Sequence, residues 1–363
     1  MVGGQSIQVA AAREATLGHL GVGGRLHLTL ATWTRRLVVA TVALALGSAI
    51  AREPIAHLLG VPEHEWAAAA ILPTGALWLL LSLQRGALQG LRAYAPVGGS
   101  MIGEALGRIV IGLVLVGAGL GVTGAYLGTP LAFVVVAVWL SRELARRLGP
   151  VEGAAAQVRP LRSLVGDNWI PIFGLLLLAA LQNVDVIVGR HAFSGDGAGS
   201  YAAAAVAAKT VVWVAIGVGL QLLPEATRRA ASGLDPRPVL LRSLAVLAAI
   251  AAPALLIFAV AGELLLKLAF GPDLALAADA LPVLGLAMTL LAVAYLTVQY
   301  MVALGELRFV WVLGVVAIVE PFLLSAGDFT LVSYATVVLG FQLVAASAVL
   351  TLGLRTKHAV QRG

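Results

Sequence analysis

Ten runs of the chain are almost wholly apolar and near the roughly 20 residues a helix needs to cross hydrocarbon: 37–51, 66–83, 97–118, 122–140, 169–188, 200–223, 239–260, 281–302, 309–325 and 331–352. No water satisfies backbone N–H and C=O groups at that depth, so a spanning segment is either a helix or a strand of a closed barrel. Barrel strands alternate apolar and polar residues over about ten positions, and no such alternation occurs here. The sequence therefore predicts an all-α, polytopic membrane protein. Only 12% of its residues are charged and its mean hydropathy is +0.97, against about 25% charged in soluble proteins. Residues 1–36 lack the basic start, compact apolar run and cleavage site of a signal peptide.

Lys and Arg accumulate in cytoplasmic loops, which gives an independent check on the count. Ten crossings with both termini inside place nineteen basic residues in the cytoplasm, Arg85 and Arg92 among them. Only Arg52, Arg190 and Lys267 fall outside, with Arg108 and Lys209 left in the membrane. The expected location is thus the cytoplasmic membrane, N-in and C-in. The net charge of +6 faces anionic inner-leaflet headgroups, worth about 1 kcal/mol per residue near the surface, and does not point to nucleic acid. The longest inside loop, 141–168, carries Gly149-Pro150 and Arg159-Pro160 and reads as a linker. It divides the chain into a lobe of four helices (1–148), a linker (149–168) and a lobe of six (169–363).

The two lobes share a polar skeleton. Gln84, Gly90, Arg92 and Glu104 recur about 215 residues later as Gln299, Gly305, Arg308 and Glu320. Upstream, Glu53 and Gly60-Val61-Pro62-Glu63 answer to Glu263 and Gly271-Pro272-Asp273. Membrane proteins built from related halves are commonly transporters.

Motifs for chemistry are weak. The chain has no cysteine, which removes thiolate catalysis, disulfides and Cys-based metal sites. Its six histidines form no His-Glu-x-x-His pair, and His57 and His64, flanking one outer turn, read as solvated loop residues. Gly119, Gly121 and Gly124 spell G-x-G-x-x-G, but on a hairpin between two spanning helices with no preceding strand, which fails the dinucleotide context. No enzyme activity and no cofactor are implied.

Ionisable groups inside the helices remain, and these are expensive unless paired or hydrated. Glu104 and Arg108 stand four apart, on one helix face. Asp185 and Lys209 occupy similar depths on neighbouring helices, where they can pair or line one cavity beside Gln182 and Asn183. Glu320 precedes Pro321, which frees backbone groups beside an acid. Gln299, Tyr300 and Gln342 add uncharged donors suited to sugar hydroxyls, or to interhelical hydrogen bonding. Each ion pair reads equally as a structural lock on the bundle. Gly103 and Gly107 form a small-residue face for close packing, and residues 1–34 read as an amphipathic stretch in the interface.

At these residues a family resemblance enters. The segment from Leu83 to Leu131, opening LQRGALQGLRAYAP, and the segment from Gln182 to Lys209, opening QNVDVIVGRHAFSGDG, resemble the polysaccharide flippases (O-antigen and teichoic-acid type) of the multidrug/oligosaccharidyl-lipid/polysaccharide exporter superfamily. The likeness extends through Ala269-Phe270-Gly271-Pro272-Asp273. It implies two lobes around a central cavity that rock to carry a polyprenyl-diphosphate-linked saccharide between leaflets. It also implies that Arg85, Arg92, Glu104, Arg108, Asp185 and Lys209 lie on that cavity or its cytoplasmic gate, and that partners include membrane lipids and envelope polysaccharide polymerases or glycosyltransferases. A drug or cation antiporter of the same superfamily, and a non-transporting scaffold, are the competing classes. One departure stands out: Arg13-Glu14-Ala15-Thr16 aligns with Pro224-Glu225-Ala226-Thr227, so the first lobe is expected to lack the helix pair that opens the second.

Overall fold

The computed structural model of the protein describes residues 2–58, 61–150, 158, 160–193 and 195–356 and is helical throughout, with no strand among them. Between Tyr94 and Leu148 it stays apolar and helical for 55 residues, about 80 Å at 1.5 Å per residue and far too long for one crossing of roughly 30 Å. Glycine resolves the excess. Gly119 (φ 90°) and Gly121 (φ 51°) take left-handed conformations closed to most L-residues, and the run folds back there into two helices. Antiparallel packing follows along small residues, a Cβ on Gly107 falling 3.1 Å from Ala132 and one on Gly112 3.4 Å from the Ala125 carbonyl. Gly103, its expected companion, faces open space.

Eight described segments are long and apolar enough to cross a membrane. Counting the two legs of the hairpin separately, and adding the shorter apolar helix Phe309–Ser325, gives ten. The chain divides into two units. Met1–Asn168 holds α1 (Val2–Thr16), α2 (Gly24–Ile50), α3 (Arg52–Leu58), α4 (Glu65–Ala69), α5 (Ile71–Gly90), α6 (Tyr94–Leu115), α7 (Gly121–Leu148) and α8 (Leu161–Asp167). Trp169–Gly363 holds α9 (Trp169–Leu181), α10 (Val184–Ala192), α11 (Asp196–Ala208), α12 (Thr210–Ala231), α13 (Arg237–Phe270), α14 (Leu281–Ala303), α15 (Phe309–Ser325) and α16 (Leu331–Arg355). The loop expected over 141–168 is helical at both ends, and 151–157 and 159 lie outside the described residues. Likewise α13 continues beyond the apolar run 239–260, as far as Phe270.

Residues 2–34 do not form an interfacial strip. α1 packs along α5 with Val9, Ala10, Ala11 and Ala12 buried. Its small side chains seat against glycines: a Cβ on Gly90 would lie 2.6 Å from Ala15 Cβ and 2.8 Å from the Ala12 carbonyl. α2 starts at Gly24 and buries Leu26, Leu30 and Trp33. A seat of this kind is set by how closely two backbones approach, which a scan of hydrophobicity does not register.

Corresponding contacts fix the true register of the repeat. Gly86 meets Gln8 as Gln299 meets Gly219, so α1 answers to α12 at a shift of 211 residues and α5 to α14 at 213. The helix ends agree. Ala93 N–H donates to Leu88 O (2.8 Å) and Glu306 N–H to Met301 O (2.9 Å), the six-to-one bond of a Schellman cap, with Arg92 (φ 62°) and Gly305 (φ 75°) in the left-handed position. Arg92 therefore corresponds to Gly305. The pairings of Gln84 with Gln299, Gly90 with Gly305 and Arg92 with Arg308 are out of register, because the turn before α15 is longer than the one before α6. Glu104 and Glu320 survive the correction to within one position, as the eleventh and twelfth residues of their helices. Nothing among the described residues of the first unit answers to α9, α10 and α11.

The α6–α7 hairpin yields a stability test. A Cβ on Gly128 would stand 2.7 Å from Gly112 N and 2.8 Å from Arg108 O, both backbone atoms that cannot step aside. Gly128→Leu should lower stability in detergent by at least the roughly 1–3 kcal/mol typical of overpacking, whereas Gly103→Leu should leave it unchanged. Thermal unfolding followed by size-exclusion fluorescence checks this, and equal midpoints would contradict the close packing.

Candidate functional site

Each unit holds a buried cluster of ionisable groups within its apolar helices. In the first, Glu104 is the hub. α6 carries Ser100, Glu104 and Arg108 at four-residue intervals, hence on one face, and α5 brings Arg85 against that face. Arg85 Nη2 donates to Glu104 Oε2 at 2.7 Å and to Ser100 O at 3.1 Å, while Nε donates to Ser100 Oγ at 2.7 Å. Arg108 Nη2 donates to the other carboxylate oxygen. Two arginines on one glutamate leave a formal surplus of +1.

Aromatic rings frame this surplus. The Arg85 guanidinium lies 5.7 Å from the Trp78 ring centroid and that of Arg108 lies 5.9 Å from Phe133, the two rings being 5.5 Å apart. Such faces attract cations most where water is scarce. The two arginines are not equivalent: the Arg85 side chain is 2% exposed and that of Arg108 32%. Arg85 thus fixes the carboxylate, and Arg108 is the member an incoming group can reach.

One expectation changes accordingly. Arg85 is no loop residue facing headgroups; it is buried inside α5. Arg92 is not inside a helix: it occupies the exposed left-handed turn after α5. Gln84 turns to α7, donating to Ser141 Oγ at 2.7 Å.

In the second unit the helices expected over 169–188 and 200–223 are each broken at the polar positions. α9 ends at Leu181 and α10 restarts at Val184, placing Asp185 in its first turn, where the helix dipole favours an acid. α11 gives way to α12 at Lys209. The two breaks meet: Lys209 Nζ donates to Asn183 Oδ1 at 3.3 Å, in place of a direct pair with Asp185. Asp185 is fully buried; its Oδ2 accepts from Tyr201 Oη (3.1 Å) and its backbone carbonyl from Tyr334 Oη (2.9 Å). Phe193, Tyr201 and Tyr334 pack edge to face or tilted around it, at 5.1–5.8 Å.

Glu320, equally buried, accepts a long hydrogen bond from Gln342 Nε2 (3.4 Å). Asp185 Oδ1, Glu320 Oε1 and Gln342 Oε1 are buried without a hydrogen-bond partner. Three acceptor oxygens with no donor suit uptake of a proton or small cation. Gln299 is separate, packed against Gly219 on α12 with its Oε1 also unpartnered.

Ser100, Tyr201 and Tyr334 escape a search restricted to charge. Their signal is periodicity: Ser100 is one turn before Glu104, and Tyr334 is eight residues before Gln342 on the same buried face of α16.

No protein-family model and no curated protein matches the sequence. Among solved structures the chain is similar to a crystal structure of MATE in the straight conformation (TM-score 0.76, 15% identity, 98% of this chain and 83% of that one). It is also similar to an outward-facing multidrug resistance MATE family transporter of the MOP superfamily (0.75, 15%, 97% and 83%). A third, from Pyrococcus furiosus, is a MOP superfamily transporter whose binding pocket of reverse polarity is described as suggesting a different function (0.75, 14%, 97% and 83%). At these identities the likeness establishes the fold, and the chain has that of the MATE-like transporters.

The hub makes a prediction. Glu104→Ala strands Arg85 in an apolar core, where breaking a buried pair costs about 3–5 kcal/mol, so it should unfold far earlier in a denaturant or thermal titration. Adding Arg85→Leu should recover much of that loss. A double variant no better than the single would mean that Glu104 does not hold Arg85 in place.

Proposed function

We propose that the chain is a transporter of the cytoplasmic membrane that moves a polyprenyl-diphosphate-linked saccharide between leaflets by alternating access, in envelope polysaccharide synthesis. The observation that carries this reading is the surplus cation at Arg108, held in place by Glu104 and still 32% exposed. A diphosphate is the anion such a group recognises best, through charge-assisted and frequently bidentate hydrogen bonds. Trp78, half-buried beside the cluster, adds an aromatic face of the kind that sugars and isoprenoids pack on. The transporter fold supports the general class, and both termini inside follow from the Lys and Arg distribution. Envelope polymerases and glycosyltransferases are the expected partners.

A second reading has its own support. Two buried acids, Asp185 and Glu320, each with an unpartnered acceptor oxygen, suit a cation- or proton-driven drug antiporter. In the flippase reading the same pair serves as the coupling site, so the two readings differ in cargo and share the second unit's chemistry.

Reconstitution separates them. Proteoliposomes should expose a fluorescent, lipid-linked diphosphate saccharide to an added lectin at a protein-dependent rate. Arg108→Ala should slow this about tenfold or more, as expected for losing one hydrogen bond to a charged group. Export of ethidium driven by a proton gradient, with no saccharide movement, would instead establish the antiporter.

A further inference from the structure

A groove of about 600 Å³ runs along the outer face of the second unit between α15 and α16. α16 supplies nearly all of it, from Leu343 and Val344 through Ser347, Ala348 and Thr351 to Arg355, with Val312 closing the α15 side. Leu343 and Val344 are half exposed, so the floor is apolar and open. Arg355, the last residue of α16, stands at one end, and no acidic residue lines the groove.

Three features agree on one occupant. First, the twelve helical steps from Leu343 to Arg355 span about 18 Å, close to the roughly 15 Å of one leaflet's hydrocarbon plus the step to the headgroup. Second, the Lys and Arg distribution assigns the Arg355 end to the cytoplasm, where the leaflet carries anionic lipid. Third, a guanidinium with no carboxylate in its groove matches a phosphate. We propose that this groove is a binding site for an anionic phospholipid of the inner leaflet, its acyl chain lying on Val344 and Ala348 and its phosphate on Arg355. The site is independent of the cargo and holds for either transport reading.

A second groove gives the contrast. That one, about 410 Å³, is lined only by Ala261, Leu264, Leu265, Leu268 and Ala269 of α13, and the nearby Lys267 is already paired with Glu263. Chains can fill it, but it has no means of choosing a headgroup.

Native mass spectrometry of the detergent-solubilised full chain, titrated with palmitoyl-oleoyl phosphatidylglycerol or phosphatidylcholine, tests the proposal. Wild type should retain phosphatidylglycerol preferentially. Arg355→Gln should lower that occupancy about fivefold, to the phosphatidylcholine level. Ala348→Trp should displace both lipids, and Leu268→Trp should leave the preference intact. Arg242→Gln, an equal charge loss at an exposed position of α13, is the control for surface charge. Equal retention of the two lipids by wild type, or a loss in Arg242→Gln matching that in Arg355→Gln, would overturn the site. Should Ala348→Trp fail to fold, the comparison of the two arginine variants decides alone.

Discussion

Hydrocarbon supplies no counter-charge and no hydrogen-bond partner, so every polar group placed there must be answered by another the fold delivers. Glu104 shows what that demands. Its carboxylate is buried between α5 and α6, and both oxygens are taken by guanidinium groups, one of them braced by the Ser100 hydroxyl and carbonyl. The close approach of α5 to α1, through Gly86 and Gly90, sets where Arg85 stands. Packing and charge are thus one problem in the first unit: the glycine seat positions the helix, and the helix positions the arginine that makes the acid tolerable.

The second unit answers the same constraint by breaking helices. At Gln182–Asn183 and at Lys209 the regular ladder stops, and the side chains at the breaks satisfy one another, Lys209 donating to Asn183. Tyrosine hydroxyls donate to one carboxylate oxygen and to the backbone carbonyl of Asp185. The balance there is a surplus of acid over base, with acceptor oxygens to spare, opposite in sign to the surplus around Glu104.

Much of this was legible in the sequence. The ten apolar runs stand out because a bilayer imposes a length, and the Glu104–Arg108 pair because four residues bring two side chains to one helix face. Arg85 was misplaced for a physical reason: charge statistics assign arginines near helix ends to water, and only the tertiary approach of α6 shows that this one points inward. The breaks at Asn183 and Lys209 were hidden because a window of apolar residues averages over a single interrupted turn. Register failed where identical letters were matched across turns of unequal length. Gly305 and Arg92 share a backbone conformation, φ 75° and 62°, that no residue name announces.

The polarity difference between the units has a structural origin in the repeat itself. Asp185, Asn183 and Tyr201 lie on or beside α10 and α11, and Lys209 closes α11, which are the elements with no counterpart among the described residues of the first unit. What the units do share, α12 to α16 against α1, α2 and α5 to α7, supplies Glu320 and Glu104 at matching positions. A common ancestor would therefore have placed one acid in each unit. In the second, the added helices bring a further buried acid, Asp185; in the first, α5 brings Arg85 and α6 itself carries Arg108. The inherited glutamate is the same, and the sign of each site follows from the charged residues its own helix and its neighbours add around it.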